Sequence, residues 1–131
     1  MQTDTMPRAL VWIGRIVGTL LALFLIFDAG MKLAKPVFVV EATTQLGFSE
    51  SVIVPLGVVL LLSSVLYLIP QTAILGAILL TGYLGGAVAT HVHAGHGAFE
   101  ILFPAIFGAL LWGSLYLRDG RIRSLLPLRR I

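Results

Sequence analysis

The sequence predicts an all-α membrane protein: an antiparallel bundle of four transmembrane helices with a short interfacial helix after the first. Three observations carry that expectation. Apolar residues make up 58% of the 131 positions and charged residues only 11%, outside the range of soluble globular domains. Four apolar stretches are each long enough to cross a hydrocarbon core of about 30 Å, which takes roughly 20 residues at about 1.5 Å each. Five of the nine basic residues, Arg118, Arg121, Arg123, Arg129 and Arg130, follow the last stretch, as cytoplasmic flanks do.

The spans fall at about 10–33, 52–69, 71–91 and 99–117, within one domain covering 1–131. The first carries Arg15 near its start and Asp28 and Lys32 near its far end. A cleaved leader is the less expected reading, because Phe27-Asp28-Ala29-Gly30 poorly matches a small-x-small cleavage site and the apolar run is long for a leader. Lys35-Pro36 and Leu46-Gly47 bracket an interfacial helix over about 36–46. Phe38, Ala42 and Leu46 recur there at four-residue spacing, giving one apolar stripe toward the bundle or the headgroups. Only Pro70-Gln71-Thr72 separates the second and third spans, so these form a tight hairpin. Glycines in the run from His91 to Ala98 break the chain before the fourth span.

An even number of spans puts both termini on one side. That side holds Arg8 and the five C-terminal arginines, against Lys32 and Lys35 on the other. The termini are therefore expected in the cytoplasm and the protein in the cell (inner) membrane. Trp12, Tyr67, Trp112 and Tyr116 fall toward the same side, as an interfacial aromatic belt would. Small residues at four-residue spacing predict close helix packing: Gly14 and Gly18, Gly82 and Gly86, and the ridge Ala105, Ala109, Gly113. Apart from the lipid bilayer, a homo-oligomer or a membrane redox complex is the expected assembly, and nucleic acid is not a partner.

With no cysteine, thiolate nucleophiles, disulfide exchange, Cys-ligated zinc and iron–sulfur clusters are excluded. Charges within a span are costly and are functional candidates. Arg15 lies about 7–8 Å into the first span, where its side chain can snorkel to the headgroups or meet Asp119, Tyr67, Tyr116 or an anionic ligand. Asp28 and Lys32 are four residues apart and share a helical face. The topology brings His91, His93, His96 and Glu100 to the same membrane side, with Glu41. These groups form either a solvated rim or a shallow polar site at the mouth of an apolar bundle. Imidazole is a common transition-metal ligand, but His91-x-His93-x-x-His96 matches no zinc signature, so a metal is not the expected cofactor.

Three blocks carry a family resemblance: Arg15 with Phe24-Leu25-Ile26-Phe27-Asp28-Ala29-Gly30-Met31-Lys32-Leu33; Leu66-Tyr67-Leu68-Ile69-Pro70-Gln71-Thr72-Ala73-Ile74-Leu75-Gly76; and Thr81-Gly82-Tyr83-Leu84-Gly85-Gly86-Ala87-Val88-Ala89-Thr90-His91-Val92. Over nearly its whole length the chain resembles the DoxX-like membrane proteins, grouped with DoxX and DoxD. The resemblance implies a four-helix membrane bundle. It also implies relatives such as the small subunit of an archaeal thiosulfate:quinone oxidoreductase and a mycobacterial membrane protein of oxidative-stress defence. Leu60 stands where the pattern carries a glutamate in the second span, and no catalytic residue carries over. The matching positions are glycines with Arg15, Lys32, Tyr83, Thr90 and His91.

The leading functional expectation is a non-catalytic membrane component that binds a lipophilic ligand or supports a complex, because no nucleophile–base or carboxylate pair is embedded together. The alternative is a quinone-linked oxidoreductase subunit with Tyr83, Thr90 and His91 toward the ring; quinone would then be its cofactor. Small-molecule or proton transport ranks below both, since the near-membrane acids Asp28 and Glu100 stand at helix ends. The ligand set proposed from sequence is Arg15, Asp28, Lys32, Tyr83, Thr90, His91 and Glu100.

Overall fold

A computed structural model describes residues 6–128. Six α-helices follow one another: α1 (Arg8–Ala34), α2 (Val37–Gln45), α3 (Ile53–Leu68), α4 (Ala73–His93), α5 (Ala98–Arg118) and α6 (Gly120–Leu125). Among the described residues, α1, α3, α4 and α5 are long and apolar enough to cross a membrane, α3 and α4 each lengthened by a short 3₁₀ turn. Helices are the form this composition demands, because hydrocarbon offers no partner for a free N–H or C=O. The four-helix membrane bundle expected from the sequence is the observed fold, and the interfacial helix is present within one residue of its expected bounds.

Local chemistry sets the helix ends. Pro36 has no N–H with which to continue α1; the chain turns at Lys35, whose φ of 55° is left-handed and whose N–H bonds Met31 O. Gly95, at φ 75°, supplies the left-handed step between α4 and α5. Thr72 closes the α3–α4 hairpin by donating its hydroxyl to Leu66 O at 2.8 Å. At the end of α5, an Arg123 Nη donates to Tyr116 O at 2.6 Å and Leu117 O at 3.0 Å. Those carbonyls have no partner within the helix.

The packing is a square. α1 and α4 each pack on α3 and on α5, and they face each other across the diagonal. The core runs down the centre through Ala22, Leu25 and Ala29, Leu60 and Tyr67, Leu80 and Leu84, and Leu111 and Leu115. Leu60 is fully buried, so the mid-span position of interest is filled by hydrocarbon. Outside, Ile16, Leu20, Phe27, Leu62, Ile78, Leu102 and Ile106 are each more than half exposed, the surface a lipid-solvated bundle presents.

The small-residue ridges divide. Gly14 and Gly18 do pack: a Cβ at Gly14 would lie 2.9 Å from both Leu117 Cβ and Ser114 O, and Ser114 Oγ donates to Gly14 O at 2.5 Å. The other two ridges do not pack within the chain. A Cβ at Gly82, Gly86 or Gly113 would meet nothing within 4 Å, and Ala105 and Ala109 are exposed. Lipid and protein are equally apolar, so spacing alone cannot orient such a ridge. The aromatic belt also needs correction. Tyr67 is fully buried, and its hydroxyl donates to Leu111 O at 2.6 Å, across from α3 to α5. Trp112 likewise turns to its neighbour, with Nε1 donating to Thr81 Oγ1 of α4 at 2.7 Å.

Candidate ligand-binding cavity

Because α1 and α4 do not pack on each other, a space opens between them. It is a cavity of about 710 Å³, within the range of small-molecule sites. It lies at the end of the bundle that carries α2 and the α4–α5 turn, hereafter the loop end; Arg8, Arg118 and α6 mark the opposite, basic end.

Three kinds of wall bound it. On one side stands an aromatic ladder. Phe99, Phe103 and Phe107 occupy successive turns of α5, with ring centroids 5.8 and 5.9 Å apart. Phe24 of α1 joins it, 5.4 Å from Phe107. Opposite, Gly82 and Gly86 of α4 present bare backbone where larger residues would intrude. Over the top, Phe38 and Ala42 of α2 and Leu46 at its C-cap line the space, so the stripe read from the sequence faces the bundle. No residue of α2 is buried.

The innermost polar groups of this largely apolar space are Asp28, Lys32 and Tyr83. Lys32 Nζ lies 2.8 Å from Asp28 Oδ1, with the lysine side chain only 17% exposed. Helical side chains lean toward the N-terminus of their helix. At the C-terminal end of α1 that direction is inward, so Lys32 dips into the bundle instead of snorkelling out. Tyr83 of α4 lines the same cavity and is near enough to interact electrostatically with that ammonium, so Asp28, Lys32 and Tyr83 form one polar cluster between α1 and α4. Tyr83 is ten residues from the end of α4 at His93, about 15 Å along the helix, whereas Lys32 stands in the last turn of α1, so the cluster slants from the loop end into the bundle. Desolvated charge of this kind is expensive and marks function by default.

Thr90, His91 and Glu100 line the cavity nearer its mouth. The Thr90 hydroxyl is spent on Gly86 O at 2.8 Å. His91 Nδ1 meets His96 Nδ1 at 2.7 Å, a contact that needs at least one neutral ring. Pro104, buried in α5 and also in the wall, has no N–H for the carbonyl of Glu100 four residues earlier.

Six of the seven ligand residues named from the sequence thus line one space: Asp28, Lys32, Tyr83, Thr90, His91 and Glu100. Arg15 does not join them. It is exposed toward the basic end, its guanidinium 5.0 Å from the Trp12 ring centroid. The cation that reaches Tyr67 is Arg118, and Asp119 serves as the cap of α6, accepting from Arg121 N at 2.9 Å. His93 and His96 lie outside the cavity lining. Among the described residues no three His, Cys, Asp or Glu side chains gather as a metal site. The reading from sequence missed the aromatic ladder, although Phe99, Phe103 and Phe107 at four-residue spacing were the available signal. It also missed Pro104.

Four apolar crossings around a half-buried ion pair and an aromatic-walled cavity define a multi-pass membrane protein with a cavity between its helices. A profile of the DoxX-like family matches residues 16–114, and the chain belongs to that family. The match spans the cavity walls on α1, α4 and α5 and begins just after Arg15. No curated protein and no solved structure matches the chain.

Proposed function

We propose that this protein is a non-catalytic membrane component that holds a lipophilic amphiphile in the cavity between α1 and α4. The Asp28–Lys32–Tyr83 cluster carries the reading: it is a donor- and acceptor-bearing group in a mostly aromatic and aliphatic space whose other polar groups, Thr90, His91 and Glu100, lie nearer the mouth, the pattern of a ligand site in which a few polar atoms set orientation. The excess of arginine at the basic end supports placing that end in the cytoplasm of a cell (inner) membrane, with the cavity mouth on the far side. A second reading, a subunit of a quinone-linked oxidoreductase, draws on the same place. Lys32 and Tyr83 are donors suited to a ring carbonyl, and the Phe99–Phe103–Phe107 ladder is suited to a flat ring.

The test is mass spectrometry of the protein purified in mild detergent. A stoichiometric lipophilic compound is expected, with occupancy falling several-fold in Lys32→Met. Protein that carries nothing, and is not stabilised against heat by added lipid extract or quinone, would sink both readings. A bound compound that undergoes reversible reduction would favour the second.

A further inference from the structure

A second, smaller hollow of about 420 Å³ lies on the outer side of the bundle, between Leu21 of α1 and a strip of α5. It shares Phe99, Phe103 and Phe107 with the main cavity, so the aromatic ladder is one wall seen from two sides. Its remaining lining, Leu102, Ile106 and Leu110, is wholly aliphatic. Phe99 and Phe103 are 75% and 45% exposed, whereas Phe107, at the inner end of the wall, is 8% exposed. The partition is therefore loosest nearest the loop end.

We propose that the ligand is a single-chain amphiphile that reaches the site sideways from the bilayer past Phe99 and Phe103, its head at Lys32 and Tyr83 and its chain left in the α1–α5 groove. Length and charge define its class. From Phe99 to Leu110 the groove runs eleven residues along α5, about 16 Å and so about half of a hydrocarbon core of roughly 30 Å. A chain lying there spans one leaflet. At the head, Lys32 is already neutralised by Asp28 at 2.8 Å, and Glu100 lines the same cavity. An anionic head would add negative charge to a site whose one lysine is already paired and which also holds Glu100. A neutral carbonyl-bearing head takes hydrogen bonds from the ammonium and the tyrosine without that cost.

This inference rests on the head-group site proposed above, and the experiment separates the two. The full chain in nanodiscs is titrated with methyl-1,4-benzoquinone and with dodecyl-1,4-benzoquinone, each affinity taken relative to wild type for the same probe. Ile106→Trp, which fills the groove at a residue already more than half exposed, is expected to weaken the dodecyl probe about tenfold and the methyl probe less than about twofold. Ile78→Trp, on the lipid-facing side of α4 and outside both hollows, should change neither. Equal losses for the two probes in Ile106→Trp, or no loss, would overturn the groove. A selective loss in Ile106→Trp together with unchanged binding in Lys32→Met would keep the groove and remove the head site. Failure of wild type to bind either probe would overturn the carbonyl-headed ligand proposed here, and a co-purified lipid of another class would leave the cavity site standing.

Discussion

The guanidinium of Arg118 lies over the ring of Tyr67, 4.9 Å from its centroid, and the same tyrosine donates its hydroxyl to Leu111 O at 2.6 Å. Arg118 Nε and one Nη are buried with no hydrogen-bond acceptor among the described residues. The face of the ring is therefore the main compensation for that part of the charge. As with Lys32, the side chain leans toward the N-terminus of its own helix, which at the end of α5 means into the bundle. Removing Tyr67 and removing Arg118 should then differ in sign. Tyr67→Leu, which strands the cation, is expected to cost about 3 kcal/mol, and Tyr67→Phe, which keeps the ring, about 1 kcal/mol. Arg118→Met, which removes the charge and keeps the stem, should leave thermal unfolding in detergent unchanged or slightly higher. An Arg118→Met variant that unfolds as readily as Tyr67→Leu would refute this account.

Two glycines at the same nominal spacing should behave oppositely. Gly14 faces the backbone of α5, where a Cβ would sit 2.9 Å from Ser114 O, so Gly14→Ala forces α1 and α5 apart at a cost of about 2 kcal/mol. Gly86 faces the cavity, with nothing within 4 Å of its notional Cβ. Gly86→Leu should hold stability, or raise it by up to about 1 kcal/mol through helix propensity, while abolishing occupancy of the site. Thermal melts paired with quantification of the bound compound would read both. Loss of stability without loss of binding at Gly86 would assign that residue to packing after all.

The covering helix α2 has no buried residue, although Phe38, Ala42 and Leu46 point at the cavity. Such an element sits at the low end of local stability. Its amides should exchange with solvent at least tenfold faster than those of α3 in the apo protein, and slow on ligand addition. Phe38→Ala should weaken binding several-fold with the melting temperature unchanged. Exchange in α2 as slow as in α3, before and after ligand, would show that it is not a cover over the site.

The candidate site was legible in the sequence to an uneven degree. Asp28 and Lys32 were readable as a pair because four residues on a helix is a fixed geometry, and the structure brings Nζ to 2.8 Å from the carboxylate. The shared side for His91 and Glu100 followed from counting crossings. Tyr83 belonged to the set by resemblance, and its approach to Lys32 depends on α1 and α4 lying on the diagonal, which no local pattern encodes. Arg15 stands apart from these groups, at the basic end where its place near the start of the span puts it. Its depth in the span was computable, but its azimuth around the helix was not, and the structure turns it outward over Trp12.

Hydropathy and length determined by themselves that the chain folds as four membrane-length helices, because hydrocarbon obliges every backbone group to find its partner within its own segment. Proline and glycine determined the ends of those helices by removing a donor at Pro36 and permitting a positive φ at Gly95. Only the tertiary structure decided which face of each helix turns inward. In water a polar face points out and resolves the question; in lipid both faces are apolar, and Gly14 and Gly113 look alike in sequence. The square packing put Gly14 against α5 and left Gly82 and Gly86 open, and from that choice the cavity follows.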